Sequence, residues 1–217
     1  MRAEIKFCGL TRPEDAELAA SLGASYVGVI FAGGPRNLSP ERAADVLAAV
    51  PRAVQRVGVF ANQTADDIAE VANRLGLDVV QLHGSSTAAR IAAIRAQFSG
   101  KIWPVCRVAE PPLPAEVTAL IELADGLVLD SYVRGTLGGT GVTMPWSALS
   151  EEVNRIRPNI RRFVLAGGLR PENVVQAITT LAPHVVDVSS GVESAPGIKD
   201  HDRMRAFHDA VAASDQL

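Results

Sequence analysis

The chain of 217 residues is short of cysteine: Cys8 and Cys106 are the only two. They form no CxxC pair and have no histidine at metal-ligand spacing, which excludes a disulfide framework and a zinc site. Long apolar runs are missing too, since no stretch approaches the roughly 18 residues that span a bilayer. The opening Met1-Arg2-Ala3-Glu4-Ile5-Lys6 carries charge where a secretory signal needs an apolar stretch, so the expected setting is reducing and cytoplasmic. Charge of one sign is not in excess: 21 Lys and Arg face 24 Asp and Glu, for a formal net charge of -3. With the arginines scattered through helical stretches, no basic patch exists to attract nucleic acid or an anionic membrane, and neither partner is expected. No GxGxxG follows the first strand-like run. No linker or low-complexity segment interrupts the chain, and the proline-rich Glu110–Pro114 reads as a strand-to-helix loop.

What is present is a repeated alternation. With 47% hydrophobic and 21% charged residues, the chain can build a sizeable core, and its length suits one domain over 1–217. Short β-branched runs recur at Glu4–Cys8, Tyr26–Phe31, Arg56–Ala61, Val79–His83, Ile102–Arg107, Gly126–Asp130, Arg162–Ala166 and Val185–Ser189. Stretches rich in Ala, Leu, Glu and Arg lie between them with helical spacing, as where Ala43, Val46, Leu47 and Val50 share one face. Thr11, Ser39 and Thr64 stand where such stretches begin, each followed by Pro or an acidic residue. Eight strand signals alternating with helices predict a (β/α)8 TIM barrel. An open doubly wound sheet, the competing fold, has five or six strands and places a glycine fingerprint after the first.

A barrel of this kind carries its active site at the C-terminal ends of its strands, so polar residues there gain weight. Strand parity sends Ile5 and Phe7 outward and Glu4, Lys6 and Cys8 into the barrel, with Cys8 at the tip before Gly9. A buried cysteine is often only a small hydrophobe, whereas a tip position above Lys6, whose cation favours the thiolate, argues for reactivity. Cys106, inside a strand, reads as structural. Asp130 ends an apolar strand where desolvation raises a carboxyl pKa, as a general acid requires; capping the loop or pairing with Lys6 is the plainer alternative. Glycine-rich turns follow the last three strands: Gly138-Gly139-Thr140-Gly141, Ala166-Gly167-Gly168-Leu169 and Ser189-Ser190-Gly191. Their backbone N–H groups make a phosphate cradle where such barrels have one.

Asp187 points inward below this cradle, with two readings open: contact to a sugar hydroxyl, or the buried partner of Lys6. Arg36, flanked by Gly33-Gly34-Pro35, is either a solvated loop residue or a bidentate holder of a carboxylate. His83 is a histidine at a strand tip, read as a substrate contact or as a hydrogen-bonded structural residue.

Lys6-Phe7-Cys8-Gly9-Leu10-Thr11 resembles the K-x-C-G-[IL]-T opening of phosphoribosylanthranilate isomerases. The likeness runs on in order through Arg36-Asn37-Leu38-Ser39-Pro40, Val57-Gly58-Val59-Phe60, Gln81-Leu82-His83-Gly84, Leu129-Asp130, Gly138-Gly139-Thr140-Gly141 and Leu165 to Val174. It closes with Val186-Asp187-Val188-Ser189-Ser190-Gly191-Val192-Glu193 and Pro196-Gly197-Ile198-Lys199-Asp200. The resemblance implies an Amadori rearrangement of N-(5-phosphoribosyl)anthranilate to 1-(2-carboxyphenylamino)-1-deoxyribulose 5-phosphate in tryptophan biosynthesis. It implies Asp130 as general acid, Cys8 as general base, Arg36 on the anthranilate carboxylate and Asp187 on a ribose hydroxyl. The phosphate would rest on Gly139, Gly141, Gly167, Gly168, Ser189, Ser190 and Gly191, without metal or organic cofactor.

One stretch departs from the family. Where G-G-[ST]-G-x-x-F-D-W is common, this chain has Pro145 in place of the Asp and Val142 in place of a common Lys, which predicts an altered loop with the chemistry kept. Related phosphosugar barrels would be expected to use a lysine acid, or an aspartate where Cys8 stands. A non-catalytic sugar-phosphate binder would not need an acid and a base together. The expected partner is a small phosphosugar, and a monomer is favoured over a homodimer.

Overall fold

The computed structural model describes residues 3–131 and 143–214. Eight parallel strands close on themselves in sequence order: β1 (Glu4–Phe7), β2 (Tyr26–Ile30), β3 (Gln55–Phe60), β4 (Val79–Leu82), β5 (Lys101–Val108), β6 (Leu127–Ser131), β7 (Phe163–Leu165) and β8 (Val185–Val188). Closure is made by β1 against β8, in the register Lys6↔Asp187 and Phe7↔Val188. Each strand is followed by its helix: α1 (Pro13–Ser21), α2 (Pro40–Ala48), α3 (Ala65–Leu75), α4 (Ala88–Arg95), α5 (Val117–Leu123), α6 (Trp146–Ile156), α7 (Val174–Leu181) and α8 (His201–Ala213). The expected TIM barrel is the observed fold.

Two cores result from the alternation of side chains along each strand. Outward residues such as Ile5, Phe7, Val27, Val29 and Leu82 pack under the helices, with Phe7 edge-on to Phe207 of α8. Inward residues Tyr26, Val57, Val79, Trp103, Val105, Val128, Val164 and Val185 fill the lower barrel, where Tyr26 and Trp103 lie 5.0 Å apart. Bulky apolar layers thus plug the barrel near the strands' N-terminal ends, and the inward positions nearer the C-terminal ends include the buried polar residues Lys6, Gln81, Asp130 and Asp187.

Helix starts follow the sequence signals at two of three places. Ser39 caps α2, and Thr64 caps α3 in a reciprocal capping box with Asp67. Thr11 does otherwise: α1 begins at Pro13 after Arg12 with no side-chain cap, and the Thr11 hydroxyl donates instead to the Gly197 carbonyl. That contact belongs to an element the alternation pattern does not announce, a small antiparallel hairpin of β9 (Glu193–Ala195) and β10 (Ile198–Lys199) between β8 and α8. Pro145 directly precedes α6 and makes no side-chain cap. No helix among the described residues is long and apolar enough to cross a membrane.

Candidate active site

A cavity of about 400 Å³ opens at the C-terminal ends of the strands. It is lined by Cys8, Arg36, His83, Asp130, Asp187 and Ser189, by the backbone of Gly167, Gly168, Ser190 and Gly191, and by Ile30, Val59 and Gln81. Every expected site residue within the described part of the chain therefore borders one space. Gly139 and Gly141 lie outside the described residues.

Cys8 stands immediately beyond β1 with its backbone N–H on the Val188 carbonyl, and it is buried at 6% exposure. Burial pushes its thiol up; Lys6, fully buried below it, pulls the other way without prevailing. Lys6 thus favours the thiolate as expected, but it does not set the net direction. The cation acts in the expected direction, but the loss of water around the sulfur outweighs it. Cys106 is also buried, and burial pushes it up to about 12, in keeping with a structural role.

Lys6 Nζ donates to Asp187 Oδ2 at 2.7 Å. Burial works against the ammonium, but Asp187, with Cys8 second, reverses this and holds it above its ordinary value. Of the two readings for Asp187, the ion pair is realised. Its second oxygen, Oδ1, is buried without a hydrogen-bond partner among the described residues, on a side chain that borders the cavity.

Asp130 projects from β6, three strands from β1 around the barrel. Burial, reinforced by the charge of Asp187, pushes its carboxyl up to about 7, while Arg107 and a backbone N–H oppose. The rise is in the direction expected from its place at the end of an apolar strand. His83 Nε2 lies 3.6 Å from Asp130 Oδ2, and Arg107 donates to the His83 carbonyl at 2.9 Å.

The turns after β7 and β8 are in contact. Gly167 and Gly168 have φ of 87° and 65°, and a Cβ on Gly191 would sit 1.9 Å from the Leu169 carbonyl oxygen. Glycine at 191 is thus required by the close approach of two backbones. Asn173 ties the first turn down, accepting from the Arg170 N–H at 2.8 Å and donating to the Gly168 carbonyl at 3.0 Å.

Arg36 is not solvated. Its loop is fastened to β2 by Leu38 N–H on the Ile30 carbonyl, and its guanidinium donates bidentately to Glu193, at 2.8 Å from Nε and 2.6 Å from Nη2. Lys199 Nζ, buried in the hairpin, donates to the same carboxylate at 2.8 Å and to the Ser189 carbonyl at 3.1 Å. Glu193 and Lys199 received no role from the sequence. The signal that could have found them is Pro196-Gly197, a turn dipeptide between two short runs of which the first begins with Glu193 and the second ends with Lys199.

A thiol, a protonatable carboxyl, a bidentate arginine and a glycine-lined turn around one cavity make a site for acid–base work on an anionic ligand. The family model described as N-(5'-phosphoribosyl)anthranilate (PRA) isomerase matches residues 5–210. The chain belongs to that family.

Such an isomerase from Pseudomonas fluorescens is 39% identical over 215 residues, covering 95% of this chain and 97% of its own. One from Trichlorobacter lovleyi is 40% identical over 209 residues, covering 94% and 95%. The crystal structure of phosphoribosyl anthranilate isomerase from Thermotoga maritima superposes with a TM-score of 0.85 at 34% identity, covering 97% of this chain and 99% of that one. Another solved member, in complex with reduced 1-(o-carboxyphenylamino)-1-deoxyribulose 5-phosphate, gives a TM-score of 0.81 at 32% identity over 97% and 99%. The chain is thereby a PRA isomerase, an enzyme of tryptophan biosynthesis.

Proposed function

We propose that the Amadori rearrangement runs in this cavity between Asp130 and Cys8. Asp130, protonated, gives its proton to the furanose ring oxygen of phosphoribosylanthranilate, and the C1′–O bond opens to a protonated Schiff base. Cys8, as thiolate, removes the C2′ proton; the electron pair moves into the C1′–C2′ bond and neutralises the imine to an enolamine. Tautomerisation, with a proton returned to C1′, leaves the C2′ ketone. The carrying observation is that a thiol and a carboxyl pushed up to about 7 border the same cavity.

The remaining groups orient the ligand. Arg36 receives the anthranilate carboxylate, and Asp187, through the oxygen that Lys6 leaves over, accepts from a ribose hydroxyl. The phosphate rests on the N–H groups of Gly167, Gly168, Ser189, Ser190 and Gly191. A volume of about 400 Å³ falls in the range of small-ligand sites. Loss of anthranilate fluorescence from freshly formed substrate tests the assignment. Wild-type protein converts it, and Cys8→Ala and Asp130→Ala each do so at least about a hundredfold more slowly. Turnover unaffected by both substitutions would remove the mechanism.

The domain is one unit over 1–217, and it acts as a monomer. Supporting this, the exposed large hydrophobics among the described residues are Leu123 and Ile198. Sedimentation at micromolar concentration distinguishes the two states.

A further inference from the structure

We propose that Glu193 is a positioning residue that presents Arg36 to the carboxylate end of the substrate, with Lys199 fixing Glu193 in turn. The inference rests on the reading that Arg36 receives that carboxylate.

The geometry is that of a held arginine. Both Glu193 oxygens are engaged by the Nε–Nη2 edge of Arg36, while Nη1 makes no hydrogen bond among the described residues and the side chain borders the cavity. The stem is confined as well. Gly9, at φ 67°, passes so close that a Cβ there would lie 2.6 Å from Arg36 Cδ and 2.9 Å from Ser189 Oγ. A free arginine loses rotamer freedom when it grips a ligand, and one immobilised beforehand does not.

Glu193 is itself anchored from behind. Lys199 Nζ reaches it from β10, and β10 is pinned to α1: Asp15 accepts from the Lys199 N–H at 3.3 Å, and Arg12 donates to the Lys199 carbonyl at 3.2 Å. Arg36 and Lys199 share the one carboxylate of Glu193, and among the described residues neither has another ion-pair partner. Lys6 and Asp187 nearby neutralise each other. Arg36 Nη1, at the cavity wall, is the donor left over for a ligand carboxylate.

Glu193 therefore acts on binding of one end of the ligand and not on proton transfer. The test measures, by calorimetry, binding of reduced 1-(o-carboxyphenylamino)-1-deoxyribulose 5-phosphate and of its phenyl analogue without the carboxylate. Wild type, Glu193→Gln and Arg36→Met are compared, with thermal melts to confirm folding. Glu193→Gln should weaken the carboxylated ligand about tenfold and the phenyl analogue less than about twofold, and in turnover its loss should fall on KM more than on kcat. Equal weakening of both ligands, or of neither, overturns the inference. If Arg36→Met also fails to distinguish the ligands, the reading of Arg36 falls; if Arg36→Met distinguishes them and Glu193→Gln does not, only the role of Glu193 falls. Should Glu193→Gln not fold, Glu193→Asp, with the charge kept and the reach shortened, must show the same selective loss.

Discussion

Lys6 Nζ lies 2.7 Å from Asp187 Oδ2, and the two residues are paired in register where β1 closes the barrel on β8. A buried pair of this kind contributes little beyond its own desolvation, yet removing one member strands the other. Lys6→Met should cost about 3–5 kcal/mol in urea unfolding. The double variant Lys6→Met/Asp187→Asn should recover much of that loss, since no buried charge is then left alone. A double variant no more stable than Lys6→Met would contradict the pairing.

Asp130 makes stability depend on pH in the direction opposite to a salt-bridged carboxylate. Its folded-state pKa is raised from 3.8 to about 7, so the folded protein holds this proton over a window where the unfolded chain has lost it. The associated stability is complete below the ordinary carboxyl value and is lost as pH rises toward 7. Asp130→Asn should therefore be more stable than wild type at pH 8, by on the order of 2–4 kcal/mol, with the gap closing as the pH falls through the carboxyl range. Melting temperatures that differ equally at both ends of this window would refute it.

The same two groups shape the rate profile. Catalysis needs Asp130 protonated and Cys8 ionised, although the acid loses its proton near 7 and burial pushes the thiol up. Only a small fraction of enzyme holds both correct states, and it is constant between the two pKa values. The plot of kcat/KM against pH should rise to a plateau beginning near 7, set by Asp130, and fall above the thiol's raised value. Ultraviolet titration of the thiolate, compared with Cys8→Ser, locates the upper limb. A thiolate already formed below pH 7 would reverse the assignment.

The contact between the turns after β7 and β8 gives a fourth expectation. Gly191→Ala would drive a methyl group against the Leu169 carbonyl and part the two turns. The KM should rise by about tenfold or more with a smaller effect on kcat, since phosphate binding is shared by ground and transition states. Competitive inhibition by inorganic phosphate should weaken in parallel. A normal KM would place the phosphate elsewhere.

Much of this architecture is legible in the order of residues. Eight β-branched runs announce eight strands, and parity groups Lys6 with Cys8 and Asp187 with Ser189 on the faces read as inward. What escapes is depth and distance. That Lys6 lies next to Cys8 is visible in the chain, but how far water is excluded from the sulfur is not, and burial decides the sign of the thiol's shift. Glu193 and Arg36 are 157 positions apart, and nothing local marks them as partners. Thr11 looks like a helix cap and instead clasps Gly197, a contact that only the closed ring creates.

That clasp has a bearing on synthesis. Residues far apart in the chain, Thr11, Arg12 and Asp15 on one side and Gly197 and Lys199 on the other, meet behind the arginine at the cavity. A chain emerging from the ribosome can assemble its early βα units without them, yet the grip of Arg36 waits until Glu193 and Lys199 have been made. Competence for turnover should then come only after the β9–β10 hairpin is made, and a product clipped before Glu193 would be unable to hold its ligand's acid group.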